Sequence, residues 1–233
     1  TYIPCLKTTL GWGIDRNFSG DLVTDISVRT SAYLRIKPNE SQDIDWFLKQ
    51  LGKATTLLAF IAGAPMAPDH ISAVVADSGQ DVEILVALRE AKYCTHVKGW
   101  DFFMLRSDMG TDMEGIFARW FETYDSIAMP SQLALSVLSS QDLWLHVEFL
   151  SLMQALEGFH RATMPGLYVS EEQYEPIRQA LSNAIPKFVE KNHREALKSR
   201  IKYGNEVSLR KRLDALISRL GMQLRKSLLG GDG

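Results

Sequence analysis

Leu22-Val-Thr-Asp-Ile-Ser-Val-Arg-Thr-Ser-Ala-Tyr-Leu-Arg-Ile36 decides how the first part of this chain folds. Leu22, Thr24, Ile26, Val28, Thr30, Ala32, Leu34 and Ile36 fall on one side, while Asp25, Ser27, Arg29, Ser31 and Arg35 fall on the other. A period of two over fifteen residues predicts a long strand buried on one face. From Ser41 the period lengthens: Ile44, Phe47, Leu48, Leu51, Leu58 and Ile61 recur at helical spacing, with Ser41 as N-cap and Gly63 and Pro65 as the stop. Ile71–Ala76, Val82–Leu88 and Phe102–Leu105 are short apolar runs between turn residues and read as further strands. Thr111-x-x-Glu114 has the form of a capping box, ahead of Met113, Ile116, Phe117, Trp120 and Phe121 at helical spacing.

Beyond Pro130 every strong pattern is helical. Leu145, Phe149, Leu152, Leu156 and Phe159, flanked by Leu150 and Met153, predict a helix from about Gln141 to Ala162 with a broad apolar face. An internal core and a dimer contact both account for that face. Ser170 and Gln173 form a second capping box before Tyr174, Ile177 and Leu181, with a stop near Pro186. A helix from about Lys187 is expected to end at Gly204, and another to start at Ser208. In that last helix Leu209, Leu213, Leu216, Ile217, Leu220 and Leu224 share one face, so Arg210, Lys211, Arg212 and Arg219 are assigned to the outer side. The fold class is therefore α+β: a β-rich domain over residues 1–130 and a helical domain over residues 131–233, joined near Met129-Pro130.

The 233 residues, 45% of them hydrophobic, suffice for one good core or two smaller ones. No apolar run approaches the ~20 residues of a membrane span, and Thr1-Tyr2-Ile3-Pro4 has neither a basic n-region nor an apolar h-region. Cys5 and Cys94 do not make a disulfide framework or a paired-cysteine zinc site. The expectation is a cytoplasmic protein with no membrane partner. Charge is uneven: Lys187–Lys226 holds twelve Lys or Arg against four acidic residues, whereas the chain up to Pro186 holds fourteen against twenty-three. A solvated amphipathic face or a nucleic-acid contact through Arg210, Lys211, Arg212 and Arg219 would each produce this asymmetry.

Few residues advertise chemistry. Gly11-Trp12-Gly13 lacks the third glycine of a dinucleotide loop and reads as a turn. No serine sits in a nucleophile elbow, no two histidines have a zinc-helix spacing, and neither a metal nor another cofactor is expected. Glu157, His160 and Arg161 lie on one helix face, where they would suit either acid–base work on a phosphodiester or an ion pair beside a packed histidine. Asn205 and Glu206 fall in a turn between helices. Arg89 and His96 sit in or beside a predicted strand, where their spacing brings no helical juxtaposition.

Two stretches carry a family likeness: Phe149-Leu-Ser-Leu-Met-Gln-Ala-Leu-Glu-Gly-Phe-His-Arg161 and Tyr203-Gly-Asn-Glu-Val-Ser-Leu-Arg-Lys-Arg-Leu213. Together they resemble the ApeA-like HEPN family of bacterial antiphage defence proteins, and the first 130 residues resemble the β-rich ApeA N-terminal domain. The resemblance implies a dimeric, metal-independent ribonuclease, released by a phage-derived trigger to cut RNA and stop growth. It also implies an Arg-polar motif followed within four to six positions by His on a late helix. There the His would accept a proton from a ribose 2′-hydroxyl, and the Arg would stabilise the phosphate under attack.

This chain departs from that motif, because no His follows His193. The resemblance then implies an internal piece of a longer protein, with the cutting pair encoded beyond Gly233, although Gly230-Gly-Asp-Gly233 would serve equally as a natural loop. On that reading the chain supplies a sensing domain and early, non-catalytic helices. The alternatives are a recognition and dimerisation module without catalysis, and an active site built from Glu157, His160 and Arg161.

Overall fold

A computed structural model describes residues 1–21, 25–86, 103–105, 110, 112–140 and 142–229 of the chain. The alternating stretch pairs with a strand that its neighbours did not announce. Tyr2–Ile3 (β1), Thr8–Asp21 (β2) and Asp25–Pro38 (β3) form an antiparallel sheet in the order β1-β2-β3, and β2 and β3 stay in register from Thr8↔Pro38 to Asp21↔Asp25. Gly11-Trp12-Gly13 is thus not a turn but the middle of β2. The reason is cross-strand: Gly13 faces Tyr33, and a Cβ at position 13 would overlap the tyrosine ring. Glycine here makes room for an aromatic residue on the partner strand.

One face of this ribbon packs on two helices. Ile44–Ala62 (α1) is capped by Asp43, which accepts from the Trp46 amide at 2.7 Å, so the cap lies two residues after Ser41. It ends on Gly63 in the left-handed conformation (φ 69°). Met113–Leu138 (α2) has Asp112 as N-cap but no side-chain cap bond, because the Asp112 carboxylate is held by Arg119 at 2.9 Å; Thr111 lies outside the described residues. Ile3, Leu10, Ala54, Leu57, Ile61, Phe117 and Phe121 form the buried core, with Leu34 and Ile36 against it and Trp12 edge-on to Phe117 at 5.1 Å. Trp120 donates to the Lys53 carbonyl at 2.8 Å, and Lys53 reaches Asp125 at 3.0 Å.

Ser72–Val74 (β4) and Asp81–Glu83 (β5) make a separate two-stranded sheet, shorter than the apolar runs around them. Residues 87–102 lie outside the described residues, and with them Arg89 and His96. Phe103–Leu105 is a bend and not a strand. Its Phe103 ring instead covers Gly63, and the Met104 amide donates to the Ile61 carbonyl at 3.1 Å.

The helix α2 does not stop at Met129-Pro130. An internal proline costs roughly 3 kcal/mol, yet Ser131 and Val137 beyond it are buried, and the helix continues through it. The chain divides into compact units at Thr1–Glu148 and Phe149–Gly233. Leu145–Thr163 (α3), Glu171–Asn183 (α4), Lys191–Lys202 (α5), Leu209–Ser218 (α6) and Met222–Leu229 (α7) complete the element order. The Ser170–Gln173 capping box forms as expected, and Ser208 caps α6. By contrast, α5 starts four residues after Lys187, and the single helix expected from Ser208 is two, interrupted at Arg219–Gly221. An α+β architecture is the outcome.

Candidate functional site

Spacing on α3 puts Glu157, His160 and Arg161 on one face, and the ion pair forms: Arg161 Nε donates to Glu157 Oε1 at 3.1 Å. Arg161 Nη2 also reaches Glu206 Oε2, from the turn after α5, at 2.7 Å. The fourth member comes from α6. Arg212 is 1% exposed, so its assignment to the outer face is corrected. It lies three residues after Leu209 and four before Leu216, which places it on the apolar side of its helix. Charge alone had suggested the opposite.

Its guanidinium is shared among three partners. Nε donates to the Val207 carbonyl at 3.0 Å, Nη2 to Glu206 Oε2 at 3.3 Å, and Nη1 lies 3.4 Å from His160 Nδ1. Arg212 has no acceptor atom, so His160 Nδ1 must be the acceptor of that contact, and the ring proton belongs on Nε2. His160 is 2% exposed. Burial first, then Arg212, Arg219 and Arg161, pull its pKa below the ordinary 6.5, so the ring is neutral at pH 7. Arg161 is held more firmly protonated by its bond to Glu206.

A backbone clasp lies beside the charges. Asn205, 3% exposed, accepts from the Val169 amide at 3.1 Å and donates to the Val169 carbonyl at 2.9 Å, imitating a strand neighbour with its side chain. Leu167 and Glu206 form an antiparallel bridge, Tyr168 donates to the Asn205 carbonyl at 2.9 Å, and Val207 donates to the Gly166 carbonyl at 3.0 Å. Any side chain at Gly166 would meet Arg212 Nη1 at about 3.0 Å. The structure therefore brings Glu157, His160, Arg161, Asn205, Glu206 and Arg212 together. Arg210, Lys211 and Arg219 stay exposed, with Lys211 Nζ 4.4 Å from the centre of the Tyr168 ring.

Chemically this is a closed arrangement. A general base must come within hydrogen-bond reach of the proton it removes, and His160 Nδ1 already faces a buried cation. Among the described residues no group of three or more His, Cys, Asp or Glu side chains could hold a metal ion.

Two family models match the chain: ApeA N-terminal domain 1 over residues 5–120 and Apea-like HEPN over residues 150–230. The chain belongs to the ApeA-like HEPN family. The Apea-like HEPN match contains the whole charged cluster and clasp, and the ApeA N-terminal match contains β2, β3 and α1. This pairing of domains fits an antiphage defence protein. No curated protein and no solved structure matches the ApeA-like HEPN chain. Among the described residues, none of its helices is long and apolar enough to cross a membrane.

Proposed function

We propose that this chain serves an abortive-infection protein, in the cytoplasm, whose HEPN domain is a metal-independent ribonuclease. Residues 1–130 sense a phage-derived trigger, and the helices of residues 131–233 frame the nuclease without cutting. The observation that carries the second part is the burial of His160 against Arg212. A ring so placed has no open path to a ribose 2′-hydroxyl, so Glu157, His160 and Arg161 act as a structural network.

The test is an RNA-cleavage assay on the purified chain in a metal chelator. Intact RNA is the expected result, and cleavage that disappears in His160→Gln while helicity is kept would overturn the assignment. The ribonuclease reading has its own test: cells expressing the full gene product should lose RNA integrity and stop growing on phage infection. Growth arrest with intact RNA would refute it and favour a recognition module instead.

Pairing of two copies is supported by α3. Leu145, Phe149 and Leu150 are 80%, 59% and 56% exposed, an apolar stripe of the kind that marks an interface.

A further inference from the structure

A groove of about 370 Å³ lies between α4 and α5, lined by Arg178, Ser182, Glu195, Lys198, Ser199, Lys202 and Tyr203. Its walls are facing stripes: Arg178 and Ser182 are one turn apart on α4, and Glu195, Lys198, Ser199 and Lys202 follow helical spacing on α5. The floor is fixed by Tyr174, 7% exposed, whose hydroxyl donates to the Ile201 carbonyl at 2.5 Å. The groove is open to solvent and its lining is largely polar.

Three cations and one carboxylate line the groove. Arg178 is chelated by Glu175 at 2.7 and 2.8 Å, and Lys198 lies 3.2 Å from Glu195. These are exposed pairs, which contribute little and exchange readily for another anion. Among the described residues no carboxylate lies within ion-pair distance of Lys202. Its ammonium sits 5.7 Å from the centre of the Tyr203 ring, and Tyr203 is 58% exposed at the end of the groove. Ammonium groups along a cleft with an exposed aromatic face at its mouth are what single-stranded nucleic acid needs: charge for the phosphates and a π-surface for a base. The Ser182 and Ser199 hydroxyls add partners for a 2′-hydroxyl.

We propose that the α4–α5 groove binds single-stranded RNA, with Lys198 and Lys202 on the phosphates and Tyr203 stacked on a base. The inference rests on the HEPN domain acting on RNA, and it locates that contact away from α6. Fluorescence anisotropy of a labelled 12-nucleotide single-stranded RNA with the 233-residue chain tests it. Lys198→Gln/Lys202→Gln should weaken binding at least tenfold at low salt. It should also flatten the slope of log K against log salt by about 1.4, two phosphate contacts at ~0.7 each. Tyr203→Ala should weaken binding about fivefold or more, the lower end of the ~1–3 kcal/mol that base stacking contributes. Unchanged helical circular dichroism excludes unfolding.

Wild-type affinity and slope in the double lysine variant would overturn the groove. If only Arg210→Gln/Lys211→Gln weakened binding, the RNA reading would stand and the groove would fall. No binding by the wild-type chain would remove both. Displacement by poly-glutamate as readily as by unlabelled RNA would reassign the groove to an acidic polypeptide.

Discussion

Replacing Arg212 by Ala removes the centre of the charged cluster, and its cost follows from the partners left behind. The Val207 carbonyl loses a bond of 3.0 Å and His160 Nδ1 a contact of 3.4 Å, both beside a residue only 1% exposed. Each stranded buried group costs about 1–3 kcal/mol, and the cavity left by the side chain adds to this. Glu206 keeps its 2.7 Å bond to Arg161, so it contributes little to the loss. The sum is about 4 kcal/mol. A unit the size of Phe149–Gly233 is stable by roughly 4–13 kcal/mol, so the variant spends a third or more of that margin. At ~4–8 °C per kcal/mol the helical unit should melt roughly 15–30 °C earlier. All five tryptophans, Trp12, Trp46, Trp100, Trp120 and Trp144, precede Phe149, which makes the assay selective. Circular dichroism at 222 nm should acquire the early transition while the tryptophan-fluorescence transition stays in place. A helical transition within about 5 °C of wild type would refute the claim that Arg212 holds this unit together. Arg212→Lys, which keeps charge but not the planar fork, should fall between the two.

Three further outcomes are expected. Unfolded His160 takes up a proton near pH 6.5 while the buried ring, facing Arg212, Arg219 and Arg161, resists it, so stability is full above 6.5 and declines as pH falls below it; denaturation midpoints between pH 7.5 and 5 should show this slope in wild type and a shallower one in His160→Gln. Asn205→Ala should cost about 2–4 kcal/mol by stranding both polar groups of Val169. Asn205→Asp keeps the acceptor but sets a buried carboxylate oxygen against the Val169 carbonyl, so it should cost at least as much as Ala, and a clearly smaller loss by thermal melting would refute the two-bond account. Phe149→Asp/Leu150→Asp should convert a dimer into a monomer in light scattering, and a wild-type monomer at all concentrations would end the α3 pairing.

The alternation of residues 22–36 was legible where it meets the core, because Leu34 and Ile36 of β3 are half-buried against it while Arg35 and Lys37 between and beyond them are exposed. Its partner β2 was not, since Gly11, Gly13, Asp15, Asn17 and Gly20 lower strand propensity and the ladder with β3 supplies what they lack. Caps at Ser170 and Ser208 were readable, as both follow local hydrogen-bond chemistry. Within the site, the contact of Glu157 with Arg161 is a matter of spacing on one helix. The contact with Arg212 depends on how α3 and α6 pack, yet a hint was present: Leu209, Arg212, Leu213 and Leu216 follow i, i+3, i+4, i+7. Residue type, taken before position, hid it.

The pairing of Val169 with Asn205, 36 residues apart, also orders events in time. A ribosome releases α3 and α4 well before the strand-like segment and the arginine that lock them, so the earlier helices emerge with their connecting loop unanchored. Until Arg212 clears the exit tunnel, the His160 side of α3 has no partner from α6 and faces water. Folding of this half therefore waits on its last-made helices.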